Sequence, residues 1–211
     1  MRAGSDDGIA AAYDARAAEY IALAGAIEQM DARDAAMIAR WCEATTGMLL
    51  DAGCGPGHWT GFLAQRGRET RGIDLSAAFV DAACSRHPDI PFDVGSFRAL
   101  PYATGSVGGI LAWYSLIHTP PDDLPGILDE FARVLAPDGS ILLGFFDGEP
   151  RAPFAHAVAP AYFWSAEALG VCLGDAGFDV VSAERRARMP DEVSVRPHGS
   201  LLARRRASAP L

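Results

Sequence analysis

The sequence predicts an α/β fold in which a doubly wound, largely parallel sheet carries helices on both faces. The chain has 211 residues, 50% of them hydrophobic, which suits a single domain with a sizeable core. Short apolar stretches of strand type alternate with longer stretches of helical spacing. Residues 48–51 and 71–74 each read as a strand that ends in an acid, at the edge where such sheets bind ligands.

The alternation of strands and helices accounts for most of the chain, with turns marked by glycine and proline. We expect helices at residues 9–23, 34–44, 59–66, 77–85, 124–135 and 166–176. We expect strands at residues 48–51, 71–74, 91–94, 107–113, 140–146, 178–181 and 200–203. Residues 147–164 are rich in proline and aromatic side chains, and we expect them to be irregular.

Composition excludes several classes of protein. The net charge of −9 lacks the basic excess of a nucleic-acid-binding protein. No stretch approaches the ~20 apolar residues of a membrane span, and the first residues do not resemble a signal peptide. The four cysteines are scattered without metal-ligand spacing. We therefore expect a cytoplasmic protein with no metal, no nucleic acid and no membrane partner; the sequence does not distinguish a monomer from a homodimer.

A glycine-rich turn joins the first strand to the next helix, in the run DAGCGPG at residues 51–57. Glycines let a backbone turn sharply and approach a ligand, and the following helix start offers free N–H groups. Asp74 ends the second strand, where a carboxylate can accept hydrogen bonds from both hydroxyls of a ribose. Together these features predict a nucleoside-type cofactor, in preference to a glycine turn that binds nothing.

A nicotinamide-dependent enzyme is the alternative for such a turn. Its fingerprint is Gly-x-Gly-x-x-Gly, whereas the spacing here is Gly-x-Gly-x-Gly with Asp51 two residues ahead of the first glycine. A carboxylate at that place would repel a pyrophosphate but suits the ammonium or sulfonium group of S-adenosylmethionine. The spacing therefore disfavours the nicotinamide alternative.

The runs DAGCGPG (51–57), GIDLS (72–76) and LAWYSLIH (111–118) resemble class I S-adenosylmethionine-dependent methyltransferases, in particular the type 11 small-molecule group. The likeness covers nearly the whole chain. It implies a single-domain, Rossmann-like sheet of seven strands with its last strand antiparallel. It divides the one domain of residues 1–211 into an N-terminal helical lid (1–46), a cofactor-binding core (47–146), and a substrate segment with the C-terminal strands (147–211).

The resemblance also implies which residues hold the cofactor, S-adenosylmethionine, and its product S-adenosylhomocysteine. Asp51 would meet the methionine moiety directly or through water, and Asp74 would hold the ribose. Relatives often carry Gly-Asp after the third strand, but this chain has Ser96 and Phe97 there, so a hydroxyl or a backbone carbonyl must serve the adenine. The full predicted set is Tyr13, Asp51, Gly53, Cys54, Gly55, Gly57, Asp74, Leu75, Ser96, Phe97 and Trp113.

The candidate catalytic and substrate-binding residues are predicted from their positions after the strands. His118 follows the fourth strand, where an imidazole could act as general base; ordinary packing is the alternative. His156, in the irregular segment, is its rival or a surface residue, and the other histidines are assigned to loops or helix surfaces. Tyr114 and Tyr162 suggest an apolar, planar substrate, although Tyr162 could simply pack on the sheet. The predicted substrate residues are Tyr20, Tyr114, His156 and Tyr162.

Tyr13 and Tyr20 are seven residues apart, so they share one face of the predicted N-terminal helix. The pattern Tyr-Asp-x-x-Ala-x-x-Tyr resembles the segment that covers the cofactor in relatives. We therefore expect a lid with Tyr13 on the cofactor carboxylate, against the alternative of ordinary packing.

The predicted function is methyl transfer to a small soluble acceptor at O, N or C, with secondary metabolism as a possible setting. The alternative is a protein that binds the same cofactor for another reaction, or without activity.

Overall fold

A seven-stranded mixed sheet forms the centre of the computed structural model, which describes residues 6–187 and 196–207. The strands are Leu49–Ala52 (β1), Thr70–Asp74 (β2), Phe92–Val94 (β3), Val107–Trp113 (β4), Leu135–Phe146 (β5), Pro153–Phe154 (β6), Ala161–Tyr162 (β7), Phe178–Arg186 (β8) and His198–Arg205 (β9). The order in the large sheet is β3-β2-β1-β4-β5-β9-β8. Strands β1 to β5 pair in parallel, and β9 is antiparallel to both neighbours. The predicted seven-stranded sheet with an antiparallel last strand is confirmed.

Seven α-helices accompany the sheet in the described part of the chain. They are Asp6–Asp14 (α1), Ala17–Ala24 (α2), Ala32–Ala44 (α3), His58–Ala64 (α4), Ala77–Arg86 (α5), Leu124–Val134 (α6) and Ala166–Asp175 (α7). Helices α3, α5 and α7 each begin after a side-chain cap, from Asp31, Ser76 and Ser165 respectively. No helix within the described ranges combines the length and the apolarity needed to cross a membrane.

The central strands are buried on both faces because consecutive side chains point to opposite sides of the sheet. Leu50 and Ile110 belong to one apolar cluster, which includes residues of α6 and α7. Leu49 and Leu111 belong to the cluster on the other face, with residues of α3 and α4. This two-sided core explains why β1 and β4 read as continuous apolar runs rather than as alternating ones.

The strand order brings the candidate site residues to one edge of the sheet. The carboxyl ends of β2, β1, β4 and β5 lie there beside the start of the antiparallel β9, because parallel strands end on the same edge. Neighbouring strands are ~4.8 Å apart, so the four steps from β2 to β9 span ~19 Å. The chain order reverses between β1 and β4, where open α/β sheets bind ligands.

The single helix predicted at residues 9–23 is wrong, because the structure has two helices, α1 and α2. The chain leaves the helical conformation at Arg16, whose φ is −121° and ψ 10°. Asp14 accepts hydrogen bonds from the start of α5, and Arg16 donates to Glu19 and to the carbonyl of Ala157. These anchors on either side turn the chain between the two helices. We use the name lid for residues 6–24, which belong to the segment (1–46) predicted to form one.

The segment predicted to be irregular contains a small hairpin. Strand β6 pairs antiparallel with β7, and the rings of Phe154 and Phe163 pack at 4.3 Å between centroids.

The final two strands are also longer than predicted. Most residues of β8 are exposed, so its sequence lacks the apolar pattern on which the prediction depended.

Candidate active site

A cavity of about 470 Å³ lies at the carboxyl edge of the sheet, beneath the lid. Its volume is within the ~300–1,000 Å³ typical of small-molecule sites. Most of the residues predicted for the site line this cavity. They are Tyr13, Tyr20, Gly53, Gly55, Asp74, Leu75, Phe97, Trp113, Tyr114, His118 and His156. The structure thus brings together residues that the sequence predicted from six separate stretches.

A glycine cradle, formed by Gly53, Gly55 and Asp74, lies between β1 and β2. The N–H of Gly55 donates to Asp74 Oδ2 at 2.8 Å, and the N–H of Ser76 donates to Oδ1 at 2.9 Å. Both glycines have positive φ, which an L-amino acid adopts only with strain. The turn therefore depends on Asp74 as well as on the glycines.

The glycine cradle fits the ribose end of a nucleoside cofactor. A Cβ placed on Gly55 would meet no atom within 4 Å, so the backbone there faces open space in the cavity. An ionised carboxylate has about four lone-pair sites, and two on Asp74 are used by the backbone. The carboxylate therefore keeps acceptor capacity for ribose hydroxyls. Burial raises the pKa of Asp74, and the backbone N–H groups of Ser76, Gly55 and Leu75 oppose this rise.

Two alanine substitutions in the glycine cradle should separate folding from binding. A Cβ on Gly53 would lie 2.3 Å from the Cβ of Ser115, so we expect Gly53→Ala to lower the free energy of unfolding by more than the ~1–2 kcal/mol of left-handed backbone strain. Gly55→Ala should show only that strain, yet lose cofactor affinity because its methyl group enters the cavity. Thermal unfolding and calorimetry measure the two effects.

Gly67→Ala is the matched control for Gly55→Ala. Gly67 also has positive φ, of 75°, and open space around a Cβ, but it lies between α4 and β2, outside the cavity. It should show similar strain with wild-type cofactor affinity. Wild-type affinity in Gly55→Ala as well would remove Gly55 from the cofactor site.

Asp51 lies at the end of β1 and is only 2% exposed. Thr60 donates a hydrogen bond to its Oδ2 at 2.7 Å. Burial raises the pKa of Asp51 from 3.8 to about 7, despite the opposing effect of Thr60. Asp51 is not on the cavity wall, so a contact with the methionine moiety would need an intervening water or a small movement. A cation placed near it would favour the ionised form.

The raised pKa of Asp51 makes stability depend on pH. The unfolded chain ionises this group near pH ~3.9; the folded chain does so near pH 7. The stability that the protonated form contributes is therefore present below pH ~4 and lost as the pH rises to about 7. Three pKa units correspond to ~4 kcal/mol. We expect Asp51→Asn to gain up to this amount relative to wild type between pH ~4 and ~8.

Urea unfolding at several pH values, without cofactor, measures the effect of Asp51→Asn. The matched control is Asp138→Asn, which makes the same chemical change at an exposed position of β5. A constant difference between Asp51→Asn and wild type over the whole pH range would contradict the assignment of a buried, partly protonated Asp51.

Three other residues predicted for cofactor binding do not line the cavity. The thiol of Cys54 lies against Gly72 of β2. Gly57, with φ of 80°, allows the chain to pass close to Phe92, where a Cβ would come within 3.1 Å of the ring. Ser96 donates its hydroxyl to Asp6 of the lid. Cys54 and Gly57 shape the turn, and Ser96 meets the lid rather than open cavity.

Side-chain hydrogen bonds hold the lid over the cavity. Asp14 accepts from the hydroxyl of Ser76 at 2.6 Å, and Ser76 is the residue whose N–H also bonds Asp74. Asp6 accepts from Arg98 Nε at 2.9 Å. The rings of Tyr13 and Tyr20 lie 6.1 Å apart and line the same cavity. The lid is thus connected to the glycine cradle through a single serine.

His118 lies in the loop after β4, is 5% exposed and faces the cavity. Its Nδ1 is 2.9 Å from the carbonyl oxygen of Pro160, and its Nε2 is 2.9 Å from the hydroxyl of Tyr13. Burial lowers the pKa of His118, and the bond to Pro160 partly opposes this. The ring is therefore neutral at physiological pH and able to accept a proton.

Four rings form what we call the aromatic chamber, at the β4–β5–β9 side of the cavity: Tyr114, Phe146, His156 and His198. The Tyr114 hydroxyl is 2.5 Å from His198 Nδ1, and the Phe146 ring is 5.1 Å from that of Tyr114. Burial lowers the pKa of His156 and of His198 to about 4, so both rings are uncharged. Tyr114 has φ of 57°, a strained conformation of the kind that clusters at functional sites.

Some assignments from sequence were incomplete or wrong. His198 is not on a loop or helix surface but begins β9 opposite Phe146. Ser115 and Arg196 also line the cavity, whereas Tyr162 of β7 does not. Ser115 follows Tyr114 directly, so its place after β4 could have identified it. Nothing local in the sequence indicates His198 or Arg196, because the pairing of β9 with β5 brings them there.

Known proteins are similar to this chain in sequence and in fold. Residues 49–139 match the family model described as "Methyltransferase domain". A malonyl-[acyl-carrier protein] O-methyltransferase of Erwinia billingiae is 34% identical over 94 residues, which are 44% of this chain and 37% of that protein. The chain thus matches well under half of the length of this relative.

Solved structures match over most of the chain. The [4+2]-cyclase SpnF has a TM-score of 0.81, 19% identity and 99% coverage of both chains. The 1,6-didemethyltoxoflavin-N1-methyltransferase of Burkholderia thailandensis, solved with 1,6-didemethyltoxoflavin and S-adenosylhomocysteine, has a TM-score of 0.73 and 22% identity. The match covers 93% of this chain and 88% of that protein. At these identities the likeness shows the fold.

Residues 49–139 are therefore similar to a methyltransferase domain, and the fold of most of the chain is that of solved S-adenosylmethionine-dependent methyltransferases. The glycine cradle fits the ribose of S-adenosylmethionine, the cofactor of those proteins.

Proposed function

We propose that this protein transfers a methyl group from S-adenosylmethionine to a small acceptor at O, N or C. One observation carries the proposal: a single cavity runs from the glycine cradle beside β2 to the aromatic chamber beside β9. The cofactor would lie on the β2–β1–β4 side and the acceptor on the β4–β5–β9 side. The reacting atoms would then meet near His118, and alignment of the two molecules would supply much of the acceleration.

The chamber supports a planar, largely uncharged acceptor. Its walls are aromatic rings, and its two imidazoles are neutral at physiological pH. The acidic chain, with a net charge of −9, supports a free small molecule over a nucleic acid. The four cysteines are free thiols, which supports a reducing compartment such as the cytoplasm.

Methyl transfer is tested with S-adenosylmethionine that carries tritium in its methyl group. The protein is incubated with a panel of planar acceptors that present hydroxyl, amine or activated carbon groups. We expect tritium in at least one acceptor and an equal amount of S-adenosylhomocysteine. A panel without any labelled product, from a protein that binds the cofactor, would contradict the proposal.

A second candidate function is a reaction that uses the same cavity without methyl transfer. It is favoured by the match to a [4+2]-cyclase over 99% of both chains. The same experiment separates the two functions. A non-methylating enzyme would convert a substrate while the tritium stays in S-adenosylmethionine.

A further inference from the structure

Tyr13 and His118 form a hydrogen-bonded pair that joins the lid to the loop after β4. The carbonyl of Pro160 can only accept a hydrogen bond, so the adjacent Nδ1 of His118 must carry the hydrogen. In the neutral ring Nε2 is then the acceptor, and the Tyr13 hydroxyl, 2.9 Å away, must be the donor. The direction of every hydrogen bond in the chain Tyr13–His118–Pro160 is thus determined.

This arrangement leaves no free lone pair on Nε2 for a molecule in the cavity. The Tyr13 oxygen, by contrast, donates its only hydrogen to His118 and can still accept one. Both residues line the cavity. A hydroxyl compound in the cavity would therefore donate to Tyr13 and reach His118 only through it.

We propose that Tyr13 is a catalytic residue that relays a proton from a hydroxyl acceptor to His118. This inference rests on the proposed methyl transfer and narrows its substrate class to phenols and enols. The acceptor's proton passes to the Tyr13 oxygen as the tyrosine's own proton passes to Nε2. Tyr13 ends neutral and His118 ends as an imidazolium. The acceptor oxygen bonds to the methyl carbon, and the electron pair of the broken carbon–sulfur bond stays on sulfur.

The surroundings of Tyr13 favour a relay over a lone tyrosinate base. Burial, together with the nearby Tyr20 and Asp74, raises the pKa of Tyr13. A proton must therefore enter as another leaves. Tyr13 is also held in place by its neighbour in the lid. Asp14, the next residue, accepts a hydrogen bond from Ser76, whose N–H bonds Asp74. The Tyr13–His118 hydrogen bond is therefore present in a structure whose lid is bonded to the start of α5.

Nuclear magnetic resonance of protein with ¹⁵N-labelled histidine tests the pair directly. We expect His118 to carry its hydrogen on Nδ1, with the Nε2 signal displaced by the hydrogen bond from Tyr13. Tyr13→Phe should move the Nε2 signal towards that of an unbonded ring nitrogen. Tyr20→Phe is the matched control, since this ring lines the same cavity without contacting His118, and the Nε2 signal should not move.

S-adenosylhomocysteine is the probe that separates the relay from the sequence-based role of Tyr13. If its addition leaves the Nε2 signal displaced, Tyr13 remains on His118 and the relay is supported. If the signal moves as in Tyr13→Phe, Tyr13 has turned towards the cofactor and the relay is overturned. Hydrogen on Nε2 in the wild-type protein would overturn it too, without any variant. Failure of S-adenosylhomocysteine to bind in calorimetry would instead contradict the proposed function.

With an oxygen acceptor from the tritium experiment, kinetics provide the functional test. Tyr13→Phe and His118→Ala should each lower kcat at least ~10-fold. Their double variant should be no slower than the slower single variant, because both remove one relay. Wild-type kcat in Tyr13→Phe would contradict the relay.

Discussion

Asp74→Ala should weaken binding of S-adenosylmethionine by at least ~100-fold. Each hydrogen bond to a charged group contributes ~1.5–3 kcal/mol, so two ribose hydroxyls account for ~3 kcal/mol or more. The substitution also frees the N–H groups of Gly55 and Ser76, which Asp74 now holds at 2.8 and 2.9 Å. Titration calorimetry with S-adenosylmethionine measures the loss.

Asp74→Asn keeps the shape of the side chain but removes its charge and replaces one acceptor oxygen with an N–H donor. Its amide nitrogen would face one of two backbone donors, so we expect a large loss here too. Asp93→Ala, an acid on the neighbouring strand β3 and outside the cavity, is the control for general effects. Unchanged affinity in folded Asp74→Ala would disprove the ribose assignment.

His118→Ala should lower turnover on an oxygen acceptor at least tenfold, within the ~100- to 10,000-fold range of general base catalysis. Cofactor affinity should stay near that of wild type, because the glycine cradle that would bind the ribose is unaffected. Burial lowers the pKa of His118 below its usual value, so its base form predominates at neutral pH. Wild-type turnover should therefore be level near neutrality and fall only in more acidic solution.

His156→Ala is the comparison for His118→Ala, because the two rings are 5.0 Å apart and both face the cavity. Full activity in His118→Ala together with loss in His156→Ala would move the proton-transfer role to the segment after β5. A neutral amine acceptor would need no base, and the effect of both variants would then be small.

The alternation of strands and helices along the chain and the glycine cradle could be predicted from sequence because both depend on local patterns. Strand β4 is an apolar run buried on both faces, and its bounds agree with the prediction. Gly53, Gly55 and Asp74 follow from the spacing of glycines and of acids at strand ends. These features need no knowledge of distant contacts.

The remainder of the site depends on contacts between distant segments. His198 reaches the aromatic chamber because β9 pairs with β5 in a register that sets it opposite Phe146. Ser96 was predicted for the adenine, but its hydroxyl bonds Asp6 of the lid, 90 residues earlier. Tyr13 was predicted for the cofactor carboxylate, and in this structure its hydroxyl instead contacts His118. No local pattern indicates such partners.

The break at Arg16 has a similar cause. The spacing of residues 9–23 is suitable for one helix, but Asp14 and Arg16 bond to other segments at the place where the helix is interrupted. A prediction from sequence detects the helical propensity of these residues but not their hydrogen bonds to distant segments.

Titration calorimetry with S-adenosylmethionine, S-adenosylhomocysteine and NAD tests the central claim most directly. The account predicts one site per chain for the first two ligands and no binding of NAD. Asp74→Ala and Gly55→Ala should lose this binding, whereas Gly67→Ala should keep it. Binding of NAD, or no binding of either S-adenosyl compound by the folded protein, would contradict the account.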